Sequence, residues 1–339
     1  MRRPGPLLLE PVLLPKVWAA DRLPRPWRDD FDAPPGIGEI WLASARGHVT
    51  KVARGEHAGM GLDQVIARWP EWVLGQADGG ELPILVKLLS VGQWLSVQVH
   101  PDDQAARRLE NEPWGKSEAW HVLAAEAGAE IIHGLAVGVD AAAVAKAVAG
   151  GRLPEVLARV PAKAGDTFHL PAGTVHATGP GLLILEIQQA SDVTYRFYDW
   201  DRLGDDGRPR ALHQERALEV MRPSGPGRPA PRRALPAEGA ERELLVSDEH
   251  FALARCRVRR AWLVERRPAV VRVLYVAQGR GRLSVPGGPW EEQELSPGQS
   301  WLIPAGLGRC QVSGGPEGLT LFECAAAPPA QDNPATRGD

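Results

Sequence analysis

Residues 165–176 read GDTFHLPAGTVH and residues 298–309 read GQSWLIPAGLGR, so the two stretches align without gaps. Each contains a short apolar run, a Pro-Ala-Gly turn and a second run, the pattern of two strands joined by a tight turn. Such a repeat indicates two copies of one β-unit. His176 of the first copy corresponds to Arg309 of the second, so a metal ligand at this position would exist only once. We therefore expect the chemistry in the N-terminal unit.

The rest of the chain also favours strands. It contains 37 Gly and 31 Pro among 339 residues, and these separate many short apolar stretches. Short apolar stretches separated by Gly and Pro are typical of strands joined by turns, so we predict an all-β core. Helical patterns are confined to residues 62–69, ended by Pro70, and 140–149, where Asp140 can cap an Ala/Val run that Gly150 stops.

The length of the chain predicts about two domains. Residues 221–233 read MRPSGPGRPAPRR and have almost no apolar content, which is typical of an exposed linker. We expect a metal-binding N-terminal domain over residues 1–221, with a small helical insert at about 136–160, and a linker over 222–240. A metal-free C-terminal domain would span residues 241–327, followed by a tail over 328–339.

Composition excludes several classes of function. Thirty-nine Lys and Arg against 42 Asp and Glu leave a net charge of −3, which disfavours nucleic acid and anionic membranes as partners. The three cysteines, Cys256, Cys310 and Cys324, form neither a disulfide framework nor a zinc finger. Pro and Glu interrupt the apolar N-terminus, and no later run reaches membrane-spanning length. We expect a cytoplasmic protein.

Four polar residues predict a metal site. Strict alternation over residues 95–100 places Gln98 and His100 on one strand face, and Glu118 shares a face with the core-type residue Trp120. A carboxylate among core residues requires a cation. His176 follows a rigid Pro-Ala-Gly turn that can aim its side chain inward. A lone Gln-x-His pair is more often solvated, but the full set forms a mixed N/O site, whose spacing does not choose between zinc, iron and manganese.

Several motifs carry a family resemblance. LSVQVHPDD at residues 95–103, GKSEAW at 115–120, LPAGTVHATG at 170–179 and SDVTYR at 191–196 closely resemble the type I mannose-6-phosphate isomerases. The likeness is strongest over residues 82–202 and weaker elsewhere. It implies a double cupin fold, which is two β-barrel or jelly-roll units with a small helical insert. In that family one barrel holds zinc and the other holds no metal.

The resemblance also implies roles for individual residues. One zinc per chain would be held by Gln98, His100, Glu118 and His176. Residues placed around the sugar phosphate would be Lys87, Lys116, Glu186, Asp192 and Arg196. Lys87, Lys116 and Arg196 are candidates for binding the phosphate. Lys116, Glu186 and Asp192 are unranked candidates for the catalytic base, and Arg196 is the candidate for stabilising the enediolate.

We expect a metal-dependent aldose–ketose isomerase that interconverts D-mannose 6-phosphate and D-fructose 6-phosphate through an enediol. The expected partner is a small sugar phosphate, and the expected state is a monomer or weak homo-oligomer. One alternative is a non-catalytic cupin sensor of sugar phosphates, which binding without turnover would identify. A less favoured alternative is an Fe(II) cupin oxygenase, which iron content and oxygen consumption would identify.

Overall fold

A computed structural model describes residues 2–75, 80–204, 207–264 and 270–326. Strands hold 41% of it and helices 14%, which confirms the all-β-dominated class. Along the chain the strands are β1 (Leu7–Glu10), β2 (Val12–Pro15), β3 (Ile37–Ala43), β4 (Lys51–Val52), β5 (Ile84–Val91), β6 (Val97–Val99), β7 (Glu118–Ala125), β8 (Glu130–Leu135), β9 (Leu157–Pro161), β10 (Thr167–Leu170), β11 (His176–Thr178), β12 (Leu182–Gln189), β13 (Tyr195–Tyr198), β14 (Arg233–Leu235), β15 (Ala240–Ser247), β16 (Phe251–Val258), β17 (Ala261–Val264), β18 (Arg272–Ser284), β19 (Gln293–Leu295), β20 (Ser300–Ile303) and β21 (Cys310–Ala326). The helices are α1 (Trp27–Phe31), α2 (Leu62–Arg68), α3 (Pro70–Leu74), α4 (Asp103–Glu110), α5 (Ala141–Ala149) and α6 (Gln214–Val220), with a 3-10 turn at Leu153–Val156.

Two compact units share the chain. The first contains the described parts of residues 12–42 and 85–231, and the second contains those of residues 1–11, 43–84 and 232–339. The sequence instead placed residues 1–11 and 43–84 in the N-terminal domain. The difference arises because the apolar strand β1 pairs with β20 and β4, with Leu8 opposite Trp301 and Leu9 opposite Val52. Strand pairing depends on such long-range contacts, which local patterns do not reveal.

The stretch over residues 222–240 is mostly exposed, but several of its residues form backbone hydrogen bonds. Ser224 accepts a hydrogen bond from the backbone of Leu135, Gly227 donates one to His133, and residues Arg233–Leu235 form β14. The role of this stretch as a linker between separately folding domains stays a prediction. The expected tail over residues 328–339 lies outside the described residues.

In the first unit, two antiparallel sheets enclose the core. Six strands follow the order β10-β7-β12-β5-β3-β2, and five follow the order β13-β6-β11-β8-β9. Trp120 and Val122 of β7 pack with Ile131 of β8 and Val160 of β9, so the sheets pack face to face. A second cluster, which includes Val97 and Val99 of β6, lies on the other face of the smaller sheet. Gln98 lies on the opposite face of β6 from Val97 and Val99, so it points away from this second cluster.

The second unit is built on one ten-stranded sheet. The repeated stretches occupy matching places, since β10 begins at Thr167 and β20 at the aligned Ser300. In the first unit β10 pairs with β7, and in the second β20 pairs with β18. The predicted duplication is therefore present in the fold.

Both predicted helices are present, and several short ones were not predicted. Asp140 caps α5 by accepting a hydrogen bond from the Ala143 amide at 2.8 Å. Helix α2 ends at Arg68, and Pro70 begins the separate helix α3. Asp102 caps the unpredicted α4 in the same way, through the Ala105 amide. In the part of the chain that is described, the structure contains no helix long and apolar enough to cross a membrane.

Candidate metal centre and substrate pocket

His100, Glu118 and His176 form a buried cluster in the first unit. Their ligand atoms all lie within 4.8 Å of one another, and each side chain is almost fully buried. Nε2 of His100 lies 3.3 Å from Oε1 of Glu118, and Nε2 of His176 lies 3.4 Å from its Oε2. Two imidazoles and one carboxylate thus converge on one point, as in a metal centre.

Strand ends position these residues. His100 follows β6 directly, while Glu118 begins β7 and His176 begins β11. His176 is paired in register with Gln98, whose side-chain amide nitrogen lies 3.3 Å from His176 Nε2. The Gln98 amide oxygen accepts a hydrogen bond from the Ser96 hydroxyl at 3.3 Å, and a half-turn of the amide would present this oxygen to the cluster instead. The structure therefore brings together all four residues that the sequence predicted as metal ligands.

Backbone carbonyls determine which imidazole nitrogen carries the proton. Nδ1 of His100 lies 2.8 Å from the carbonyl of Val193, and Nδ1 of His176 lies 2.8 Å from that of Thr174. Each Nδ1 must donate its hydrogen to the carbonyl, so each neutral ring keeps its Nε2 lone pair for the cluster. This tautomer is the one that a metal-binding histidine uses when it coordinates through Nε2.

Burial and charge hold the cluster in the protonation state that metals require. Burial lowers the pKa of His100, aided by the Lys116 ammonium, and burial lowers the pKa of His176 to about 4. Burial alone would raise the pKa of Glu118, but Lys116, His100 and His176 hold it well below its ordinary value. Near neutral pH the cluster therefore presents two neutral imidazoles and a carboxylate.

The cluster fits a bound cation. Oε2 of Glu118 is buried and receives no hydrogen bond from the described residues, because Nε2 of His176 faces it with a lone pair. Two such acceptors at 3.4 Å repel each other unless a cation lies between them. On the other side, the Lys116 ammonium lies 2.8 Å from Oε1 of Glu118 and 3.4 Å from Nε2 of His100. The donor set suits a divalent metal with mixed N and O ligands.

A second buried ion pair lies beside the cluster. Nζ of Lys87 is 2.8 Å from Oε2 of Glu186, and the Trp120 indole donates a 2.6 Å hydrogen bond to Oε1 of Glu186. Trp120 also contacts the His176 ring edge-on, with centroids 5.3 Å apart. Burial lowers the pKa of Lys87, and the carboxylate of Glu39 opposes that effect. Lys87 and Glu186 are thus held as a pair next to the metal ligands.

Asp192 and Arg196 lie on the segment that follows β12. Asp192 is exposed, and its charge acts on Lys87. Arg196 is half-buried and pairs in register with Gln98, and its Nε is buried without a hydrogen-bond partner among the described residues. Burial lowers the pKa of Arg196, and Arg210 adds to the effect. The structure therefore places Arg196 beside the ligand strand and Asp192 at the surface.

Sequence reasoning missed Glu39. Its carboxylate accepts a hydrogen bond from the Trp41 indole at 2.8 Å and lies 3.4 Å from the Lys16 ammonium. Burial raises the pKa of Glu39, but Lys87 and Lys16 outweigh it and leave the pKa below its ordinary value. Alternation along β3 places Glu39 and Trp41 on one face, and this pattern was the sequence signal that could have identified Glu39 as a buried carboxylate.

His133 is a buried histidine outside the ligand cluster and supplies a pH-dependence prediction. It pairs in register with His176, and burial lowers its pKa to about 4. An unfolded His has a pKa near 6.5. Between pH 6.5 and 4 the unfolded state therefore binds a proton that the folded state does not, so the folded protein becomes less stable as the pH falls through this window. When the pH is lowered from 7 to 4.5, we expect the unfolding free energy of His133→Leu to drop by about 2–3 kcal/mol less than that of wild type. Urea unfolding followed by tryptophan fluorescence would measure it, and parallel losses in both proteins would contradict it.

Comparison with known families agrees with this geometry. Residues 21–119 match the family model described as "Phosphomannose isomerase type I, catalytic domain". The mannose-6-phosphate isomerase of Streptococcus mutans is 36% identical over 310 residues, which are 91% of this chain and 95% of that protein. The match thus extends over both units.

Solved structures show the same fold. The crystal structure of the mannose 6-phosphate isomerase from Bacillus subtilis superimposes with a TM-score of 0.84 and 29% identity, covering 95% of this chain and 99% of that one. A zinc-bound mannose 6-phosphate isomerase superimposes with a TM-score of 0.71 over 96% of this chain and 100% of its own. At 15% identity the second likeness shows the fold alone.

Proposed function

The chain belongs to the type I phosphomannose isomerase family, and on that premise we propose that its His100–Glu118–His176 cluster is the zinc site of the reaction. The protein is a metal-dependent aldose–ketose isomerase that interconverts D-mannose 6-phosphate and D-fructose 6-phosphate through an enediol. The observation that supports the site assignment is the approach of His176 Nε2 to Glu118 Oε2 at 3.4 Å, within a buried His–Glu–His cluster that a bound cation would stabilise. Neither the sensor nor the oxygenase alternative is favoured.

Zinc is the metal that we propose, with one ion per chain. Neutral imidazoles and a carboxylate suit zinc, and a solved relative of the same fold is described as zinc-bound. Gln98 would be the fourth ligand through its amide oxygen. A bound zinc ion supplies Lewis acidity, which stabilises negative charge on the sugar oxygens as the enediolate forms.

The surrounding residues would bind the substrate and move the proton. Of the three candidate bases, Lys116 is paired with the ligand candidate Glu118, so a bound cation would release it, whereas Glu186 is paired with Lys87 and Trp120 outside the ligand cluster and Asp192 is exposed. We therefore favour Lys116 for proton transfer between the two reacting carbons. Nε of Arg196 has no hydrogen-bond partner within the described ranges, and its guanidinium offers a fork of donors suited to an oxyanion or a phosphate. Lys87 would contribute a positive charge that attracts the phosphate.

Metal removal tests this assignment. We expect the chelated protein to form fructose 6-phosphate from mannose 6-phosphate at least about 100-fold more slowly, because several kcal/mol of charge stabilisation would be lost. Adding zinc back should restore the rate. A coupled assay for fructose 6-phosphate, run with metal analysis of each sample, would measure both. Full activity in protein shown to contain no metal would overturn the site assignment.

The compartment and the oligomeric state of the protein are also part of the proposal. We propose a cytoplasmic enzyme that acts as a monomer or weak homo-oligomer on a small sugar phosphate. The three free, buried cysteines are consistent with a reducing compartment. Size-exclusion chromatography with light scattering would determine the oligomeric state.

A further inference from the structure

The members of the metal cluster come from different sheets of the first unit. His100 follows β6 and His176 begins β11, and these two strands pair within the five-stranded sheet. Glu118 begins β7 of the six-stranded sheet, and Lys116 lies two residues before it. Strand pairing fixes the two histidines relative to each other. The distance from them to Glu118 depends instead on contacts between the two sheets.

The chain segments over residues 100–103 and 115–118 contact each other through their backbones. The Lys116 amide donates a 3.0 Å hydrogen bond to the carbonyl of Pro101. A Cβ atom at Gly115 would lie 2.4 Å from a backbone carbon of the facing segment, so a larger residue there would push the two segments apart. A displacement of either segment would therefore change the spacing between the ligand candidates that they carry.

Gln189, the last residue of β12, holds the segment that carries Lys116 and Glu118. Its backbone amide donates a 3.1 Å hydrogen bond to the carbonyl of Ser117, the residue between them. Its side-chain Oε1 accepts a 2.9 Å hydrogen bond from the Ser117 amide. The side chain thus replaces the Gln189 carbonyl in the strand ladder, while that carbonyl accepts a hydrogen bond from the Gln188 side chain. Gln189 is only 2% exposed, so these bonds are shielded from water.

Asp103 connects this strand end to the other sheet. Its Oδ1 accepts hydrogen bonds from the Gln189 side-chain nitrogen at 2.9 Å and from the Gly115 amide at 2.8 Å. Asp103 lies on the segment that follows β6, three residues beyond His100. The Gln189 amide can therefore take only one orientation, with its oxygen toward an amide donor and its nitrogen toward a carboxylate. A continuous set of hydrogen bonds thus joins the ends of β12, β7 and β6.

We propose that Gln189 and Asp103 are positioning residues of the isomerase, which together set the place of Lys116 and Glu118 relative to the two histidines. This inference rests on the proposed function, because that function gives Lys116 and Glu118 their roles at the zinc site. Gln189 and Asp103 act through the backbone around Ser117 and not by touching the metal or the substrate. Groups that orient metal ligands in this way typically change metal affinity or activity by about 10–100-fold.

The test is the zinc affinity of Gln189→Met, measured by competition with a fluorescent chelator. Methionine keeps the length of the side chain and removes both of its hydrogen bonds. We expect zinc binding to weaken about 10–100-fold and kcat to fall more than KM rises. The visible absorption bands of the cobalt(II)-loaded protein should shift, because they report ligand geometry. Asp103→Leu should act in the same way, whereas Asp103→Asn should behave as wild type, since its amide oxygen can accept both hydrogen bonds.

Asp140→Ala is the matched control for a loss of stability alone. Like Gln189, Asp140 accepts a hydrogen bond from a backbone amide through its side-chain oxygen. It caps α5, whose Val144 belongs to the cluster on the other face of the five-stranded sheet. Loss of the cap destabilises the helix. We expect a lower unfolding temperature with unchanged zinc affinity, cobalt spectrum and kcat.

The outcomes separate a positioning role from a structural one. Wild-type zinc affinity and kcat in Gln189→Met would overturn the proposal, even if that variant unfolds at a lower temperature. Equally weakened zinc binding in Asp140→Ala would also overturn it, because any loss of stability would then affect the site. A wild-type protein that binds no zinc would refute the proposed function, and the positioning role with it. If Gln189→Met does not fold, Asp103→Leu, at a partly exposed position, decides by the same measurements.

Discussion

Replacing His100 with alanine is expected to remove the bound metal and to lower kcat/KM by at least about 1000-fold, since each factor of ten in rate corresponds to about 1.4 kcal/mol. The His100 ring presents its Nε2 lone pair to the cluster because the Val193 carbonyl binds its other nitrogen. Without the ring, one donor of the cluster and the orientation that it provides are both lost. Metal analysis of the purified variant and the fructose 6-phosphate assay would measure the two effects.

His169→Ala is the matched control for this variant. His169 lies on β10 of the same unit, is half-buried and lies outside the ligand cluster. We expect it to keep its metal and most of its activity. Thermal unfolding of both variants would show whether the loss in His100→Ala exceeds any loss of fold. A His100→Ala protein that is fully active without metal would show that the reaction does not use this cluster.

The fold was predictable where the pattern is local. The repeated Pro-Ala-Gly stretch predicted β10 and β20, and the Asp140 cap predicted α5. The partner of β1 was not predictable, because its short apolar run fits the edge of many sheets. Its pairing with β20 depends on a strand almost three hundred residues away in the chain. The unit to which β1 belongs could therefore not be read from its own residues.

The site shows the same difference between local and long-range information. Period-two alternation placed Gln98 and His100 on one face, and a carboxylate beside Trp120 signalled a buried charge. The carbonyls of Val193 and Thr174, which determine the histidine tautomers, left no signal because any residue has a carbonyl. The exposure of Asp192 depends on a loop conformation without periodicity.

Three lysine–glutamate pairs lie in the first unit. Lys16 and Glu39 are separated by 3.4 Å, Lys87 and Glu186 by 2.8 Å, and Lys116 and Glu118 by 2.8 Å. Only the last of these carboxylates contacts both histidines. A cation that binds to Glu118 would compete with Lys116 for the carboxylate, which would free the Lys116 nitrogen for substrate. This exchange distinguishes Lys116 from Lys87, whose partner lies outside the ligand cluster.

Replacing Lys116 with methionine is accordingly expected to leave zinc bound and to lower kcat by about 10²–10⁴-fold, the usual contribution of a positioned proton-transfer group. Methionine keeps much of the apolar stem of lysine, and Glu118 keeps both histidines as neighbours. The effect should fall on kcat more than on KM, because proton transfer matters in the transition state. Lys163→Met, at an exposed lysine of the same unit, is the control and should behave as wild type. Loss of the metal in Lys116→Met would indicate that Lys116 maintains the site, and an unchanged kcat would exclude it as the proton-transfer group and leave Glu186 and Asp192.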